Sequence, residues 1–143
     1  MVPRSCLLLL AALVLSPWAQ ASPGLVLVVN ARSGVDRLTL DDAVNIFMGR
    51  YRQLSSGMAA LPIDQPDNQP EKARFYRLLV NKDLAEINAY WARLIFSGKT
   101  SPPHQAKSTA EVLDLLARQP GAIAYLERSQ VDSRFRIVLE FER

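Results

Sequence analysis

The run Leu25-Val26-Leu27-Val28-Val29 limits the fold of this chain more than any other stretch. It is apolar without interruption, β-prone, and stopped by Asn30. Its length suits a strand better than a helix, and it has no polar side to turn toward water. Such a strand is buried on both faces. The chain therefore needs packing layers above and below a central sheet, which is the arrangement of an α/β domain.

The punctuation downstream supplies those layers. Asn30 to Arg37, with Ser33, Gly34 and Asp36, reads as a loop. Thr39 and Asp42 form a capping box. Leu40, Ala43, Val44, Phe47 and Met48 then make one apolar helix face, and Gly49 ends it. After a Ser55-Ser56-Gly57 turn, Ala59 to Ile63 reads as a second strand and Asp64 to Pro70 as a proline-bounded loop. Glu71 to Val80 is predicted helical, with Phe75, Leu78 and Leu79 inward. Asp83 caps a longer helix in which Leu84, Ile87, Trp91, Leu94 and Ile95 keep helical spacing up to Gly98. Trp91 and Phe96 of this helix read as core.

Thr100 to Lys107 contains Pro102-Pro103 and is expected to be a loop. Ser108 with Glu111 gives a second capping box ahead of Val112, Leu115 and Leu116, and Pro120-Gly121 stops that helix. Ala122 to Leu126 reads as a third strand. In Phe135 to Phe141, the residues Phe135, Ile137, Leu139 and Phe141 alternate with Arg136, Val138 and Glu140, as in a strand with one more exposed face. The expected fold is one compact α/β domain, with a central mixed sheet of about four strands flanked by about four helices.

The first residues carry a different message. Arg4 precedes an apolar run from Cys6 to Leu15, and Ala19-Gln20-Ala21 is a small-x-small cleavage site before Ser22. The run is too short to cross a bilayer, which takes about 20 residues. Residues 1–21 are expected to be a cleavable signal peptide and residues 22–143 the working domain, exported to the periplasm. The single cysteine, Cys6, would leave with the signal, so the mature domain would hold no disulfide and no thiolate nucleophile. Its stability would rest on its apolar core.

Composition narrows the function. Lys and Arg number 17 against 14 Asp and Glu, and the basic residues are scattered among acidic ones. A nucleic-acid surface needs clustered positive charge, so that class of partner is excluded. His104 is the only histidine and lies in a proline loop. Without cysteine beside it, a zinc site is not expected, and no serine, histidine and carboxylate trio can be assembled. Asp41 and Asp42 sit in a first helical turn, where carboxylates suit the dipole. Asp64, Asp67 and Glu71 lack the central glycine and alternation of a calcium loop. Ser97-Gly98-Lys99-Thr100 follows a helix and does not join strand to helix, so it is no phosphate-binding P-loop. No cofactor is implied, and nothing beyond the signal is long enough to span a membrane.

The order of these motifs resembles a known family. "LTLDDAVNIFMGRY", "LPID", "ARFY", "YWARLIFSGKTSPP" and "EVLDLLARQPGAIAYL" follow one another across most of residues 25–141. The succession is similar to the periplasmic substrate-binding proteins of phosphate ABC transporters, in particular the short single-lobe members called PBP-like domain proteins. The carrying residues are Ile46-Phe47-Met48-Gly49-Arg50 and Pro120-Gly121-Ala122-Ile123-Ala124-Tyr125. The resemblance implies one lobe of a type II periplasmic binding protein and a non-enzymatic, ligand-binding role.

It also implies where a ligand would sit. In the family's second lobe, a basic residue at a strand end precedes a Ser-Gly-Thr turn whose amides hold phosphate at a helix start. That region aligns with Asp64 to Arg74 here. Asp64 stands where the basic residue is wanted, and Glu71-Lys72-Ala73 where the Ser-Gly-Thr turn is wanted. The expected ligand residues are therefore Asp64, Gln65, Asn68 and Arg74, with Asn30 and Ser33 at the end of the first strand. Two functions follow: capture of phosphate or another small anion for an ABC transporter, or an envelope interaction module that has kept the fold without the ligand site. The second would bind a protein partner, or associate with itself, through the surface that a first lobe would cover.

Overall fold

The computed structural model describes residues 24–141, and the expected signal peptide with its cleavage site lies outside them. The apolar run forms strand β1 (Leu25–Asn30), buried at all six residues. Thr39 caps helix α1 (Leu40–Phe47): its hydroxyl accepts from the Asp42 N–H at 3.1 Å, and the Asp42 carboxylate accepts from the Thr39 N–H at 3.0 Å. Gly49 follows the helix at φ +81°. A Cβ there would lie 2.9 Å from both Trp91 Cη2 and Thr100 Oγ1, so this position excludes a side chain on two counts.

Strand β2 (Leu61–Asp64) leads through a short loop into helix α2 (Pro70–Val80). Asp83 and Glu86 form the reciprocal capping box of helix α3 (Leu84–Ser97), which Gly98 ends in a left-handed conformation. The proline segment that follows is not wholly loop: His104–Gln105 adds a two-residue edge strand, β3, beside β2. Ser108 caps helix α4 (Thr109–Arg118) through the Glu111 N–H. Glu111 reaches one residue further back, to the Lys107 N–H at 2.7 Å, so the expected capping box is only half made. Strand β4 (Ala122–Glu127), a 3₁₀ turn (Arg128–Gln130) and strand β5 (Phe135–Glu140) complete the chain.

Among the described residues the sheet has five strands in the order β3-β2-β4-β1-β5, one more than expected. β3, β2 and β4 run parallel, while β1 lies antiparallel to both β4 and β5. Successive residues of β1 point to opposite faces. Leu25, Leu27 and Val29 join α1, α2 and α3 in one core, through Phe47, Phe75, Ile87 and Trp91. Val26 and Val28 join α4 in the other, through Val112 and Leu116. The double-faced burial inferred from the sequence is thus the organising feature of the domain.

Three further expectations fail. The alternation of β5 does not hold along its length, because a bulge falls opposite Leu27 and Val28. Phe135 and Ile137 face the α4 core, whereas Leu139 and Phe141 face the α1–α3 core. An extra residue in one strand shifts its period by one, which moves every later side chain to the other side. Second, Phe96 is not core: it is 96% exposed, and Ile95 is 55% exposed, at the end of α3 where the helix outruns its packing. Third, Leu40 at the first position of α1 is 45% exposed, because the helix enters its core only from Ala43 onward.

Candidate functional site

The expected ligand loop begins where β2 ends, and its first residue turns inward. Asp64 is 5% exposed. Its two carboxylate oxygens each accept a hydrogen bond from a buried phenol, Tyr125 Oη on Oδ1 and Tyr76 Oη on Oδ2, both at 2.6 Å. β4 supplies Tyr125 and α2 supplies Tyr76, so the carboxylate ties two elements to the strand between them. The ring of Phe75 stacks on that of Tyr125 at 3.9 Å between centroids and closes the apolar side of the cluster.

The only cation in this cluster is also inside. Lys72, 4% exposed, places Nζ 2.6 Å from Asp67 Oδ1 and 4.0 Å from Asp64 Oδ2. Gln105 of β3 also donates to Asp67 at 3.2 Å. Gln65 is fully used: its N–H donates to Tyr125 Oη at 3.0 Å, its side-chain amide to the Tyr125 carbonyl at 3.3 Å, and its carbonyl oxygen accepts from Thr109 Oγ1 at 3.2 Å. Glu71 stands in the first turn of α2, with one carboxylate oxygen buried and without a partner. Asn68 is exposed at the loop tip.

These contacts set the protonation chemistry. Burial raises the pKa of Asp64 above its ordinary 3.8, and the neighbouring Asp67 pushes the same way. The bonds from Tyr125 and Tyr76 and the charge of Lys72 oppose that rise without cancelling it. The bond from Lys72 lowers the pKa of exposed Asp67. Burial, and then the facing Asp64 carboxylate, drive both tyrosines far upward, so both stay neutral and donate to Asp64. Asp64, Gln65, Asp67, Lys72 and the two phenols form a closed network with Gln105 and Thr109, and the orphaned Glu71 oxygen stands outside it.

The structure separates the remaining expected residues from this cluster. β1 is antiparallel to β4, so Asn30 lies at the end of the sheet where β2 and β4 begin, not where Asp64 lies. It also faces the other layer. Its amide donates to the carbonyls of Leu116 and Ala117 at 2.7 and 3.2 Å, and so caps the C-terminal end of α4. Ser33 is buried and accepts from the Val35 N–H at 3.2 Å, which stabilises the turn after β1. Arg74 points away from the cluster and pairs with Glu127 at the surface. Among the expected residues, then, Asp64 and Gln65 meet, Asn68 and Arg74 lie nearby in solvent, and Asn30 and Ser33 are elsewhere.

Sequence reasoning missed Tyr76, Tyr125, Gln105 and Thr109. Tyr125 left a usable signal, because a tyrosine in a fully buried strand must find an acceptor for its hydroxyl. Chemically, the one exposed acid of the strand end, Asp67, is held by Lys72 and Gln105. Among the described residues no three His, Cys, Asp or Glu side chains are disposed to hold a metal ion. No helix of the described residues is long and apolar enough to cross a membrane. A depression of about 480 Å³ lies apart from the cluster, near the start of β2, between Tyr51, Arg52, Thr100 and His104.

No protein-family model and no curated protein matches the chain. Solved structures do. A Clostridium perfringens protein crystallised with bound phosphate matches with a TM-score of 0.63 and 16% identity, over 81% of this chain and 44% of that one. An ABC-type phosphate transport receptor from Vibrio cholerae matches with a TM-score of 0.63 and 14% identity, over 81% and 45%. PstS from Borrelia burgdorferi gives 0.61 and 14%, over 81% and 46%. The chain spans less than half the length of each, and within that span it has their fold. The expected architecture, one α/β unit similar to a single lobe of a type II periplasmic binding protein, is met.

Proposed function

We propose that this chain is an exported, non-enzymatic domain that uses a binding-protein lobe as an envelope interaction module. The observation that carries this reading is the self-neutralised strand end. Where an anion receptor needs open donors, this domain has Asp64 bound by two phenols and Lys72 held between two carboxylates. A dianion approaching the start of α2 meets Asp67 and Glu71 before any free cation. At about 4 Å, like charges repel by roughly 1 kcal/mol in water, and by more where water is excluded. The export step rests on the Arg4, Cys6–Leu15 and Ala19–Ala21 pattern, and the periplasm is the compartment it implies.

A second reading is capture of phosphate or another small anion for an ABC transporter, supported by the phosphate bound in the Clostridium perfringens structure. Melting of the protein, expressed from its whole sequence, separates the two. A ligand at about 100 times its dissociation constant adds roughly 2.7 kcal/mol of stability. The interaction reading expects no rise in Tm with phosphate or sulfate, and a protein partner recovered by in-cell crosslinking at the periplasmic face. A phosphate-specific rise that is lost in Lys72→Met would replace it with the transport reading.

A further inference from the structure

The outer face of α3 has no partner among the described residues. Ala85, Ala89, Ala92 and Phe96 are all exposed, at spacings of four, three and four residues. That alternation is the seam of a two-helix coiled coil. Exposed alanines alone would mean little. The seam, however, ends in Phe96, 96% exposed and adjoined by Ile95 at 55%, a large apolar surface on a domain that buries Phe47, Phe75 and Phe135.

We propose that α3 pairs with α3 of a second copy, antiparallel, about a twofold axis between Ala89 and Ala92. The occupant follows from size and charge. In this register each Phe96 seats on Ala85 of the other copy, where a methyl leaves room for a ring. Ala89 faces Ala92, and small residues at the crossing let the helix axes approach to about 8 Å. A parallel pair would instead set Phe96 against Phe96.

Charge selects the same orientation. Glu86 and Arg93 flank the seam on one side, each just after a seam residue. In an antiparallel pair these positions face each other across the interface, so two Glu86–Arg93 ion pairs form per dimer. Glu86 is half exposed; besides accepting from the Asp83 N–H at 3.4 Å, its carboxylate pairs with Lys82 alone, at 3.5 Å. Arg93 is exposed and takes part in no ion pair among the described residues. The other flank carries Asn88 and Ile95, which bring no opposing charge. This pairing is independent of what the strand end at Asp64 binds, so either result can stand without the other.

Sedimentation of the purified protein over a concentration series tests it. The wild type dimerises reversibly. Phe96→Ser weakens the dimer by at least about tenfold, as loss of an aromatic anchor does, and leaves the circular dichroism unchanged because the side chain is solvent-exposed. Arg93→Glu also weakens it, and the double swap Glu86→Arg/Arg93→Glu recovers the affinity to within about threefold. In a Cys6→Ser background, Ala92→Cys crosslinks on mild oxidation and Ala73→Cys, exposed on α2, does not. A protein that stays monomeric overturns the proposal. So does a dimer indifferent to Phe96→Ser and to the charge swap, or equal crosslinking at the two cysteine positions.

Discussion

The Asp64 cluster makes a quantitative demand on stability. Asp64→Ala would remove the acceptor for two buried phenols, each bonded at 2.6 Å, and leave Lys72 with Asp67 alone. A hydrogen bond to a charged group contributes about 1.5–3 kcal/mol net, and relief of the buried charge offsets part of the loss. The expected cost is about 2–4 kcal/mol. For a domain of this size, 1 kcal/mol moves Tm by about 4 °C, so the midpoint should fall by about 8–16 °C. Asp64→Asn keeps the shape, one acceptor and a polar partner for the second phenol, and it carries no charge to desolvate. Its cost near pH 7 should be about 1 kcal/mol or less.

The pH dependence sharpens the test. The folded pKa of Asp64 is raised above the ordinary 3.8, so between those values the folded state binds more protons than the unfolded chain. Stability contributed by this group therefore rises as pH falls through the folded pKa, and is fully present below 3.8. Asp64→Asn lacks that gain. Measured by thermal melts from about pH 7 to about pH 4, the mutant should lose ground against the wild type as the solution is acidified. The lowered pKa values of Glu111 and Asp132 act in the opposite sense and cancel in the comparison, because both proteins carry them away from the mutated site. A difference that stays flat with pH, or an Asn variant as damaged as the Ala variant, would refute the account of a buried carboxylate dominated by desolvation.

Gly121→Ala should be among the most damaging single-methyl additions, because its Cβ would lie 2.0 Å from the Ala59 carbonyl oxygen, which is backbone and cannot swing aside. A loss of about 3 kcal/mol is expected, read as a lower urea midpoint. Arg74→Ala should change stability by less than about 1 kcal/mol, since its pair with Glu127 is surface-exposed, and should leave the melting response to phosphate as it is in the wild type.

Much of the fold was legible because its signals are local. Thr39, Asp83 and Ser108 each announced a helix start through the next turn's N–H, and Pro120-Gly121 marked entry to a strand. What was not legible depended on partners far along the chain. The edge strand at His104–Gln105 exists only because β2 lies beside it. The bulge in β5 is a property of its register with β1. The site suffered most. Grouping Asn30 with Asp64 assumed that both strands point the same way, and only the sheet's topology shows that they do not. Asp64 was legible as an acid at the end of a strand, but the two phenols that hold it come from other elements.

The placement of β1 bears on how the domain is assembled in time. This strand is the first among the described residues and the centre of the two-sided core, yet its ladder partners are β4 and β5, the last described strands, with Leu25 opposite Glu127. Roughly a hundred residues separate the two sides of that ladder, a high contact order for so small a domain. A chain emerging from its N-terminus forward can form its helices one at a time but cannot close either core until its final strands arrive. Until then the apolar run stays unpaired, dependent on being kept from other chains. Under the proposed export, such delayed closure would keep the polypeptide threadable during its passage between compartments, and it makes premature collapse a smaller hazard than loss of β5.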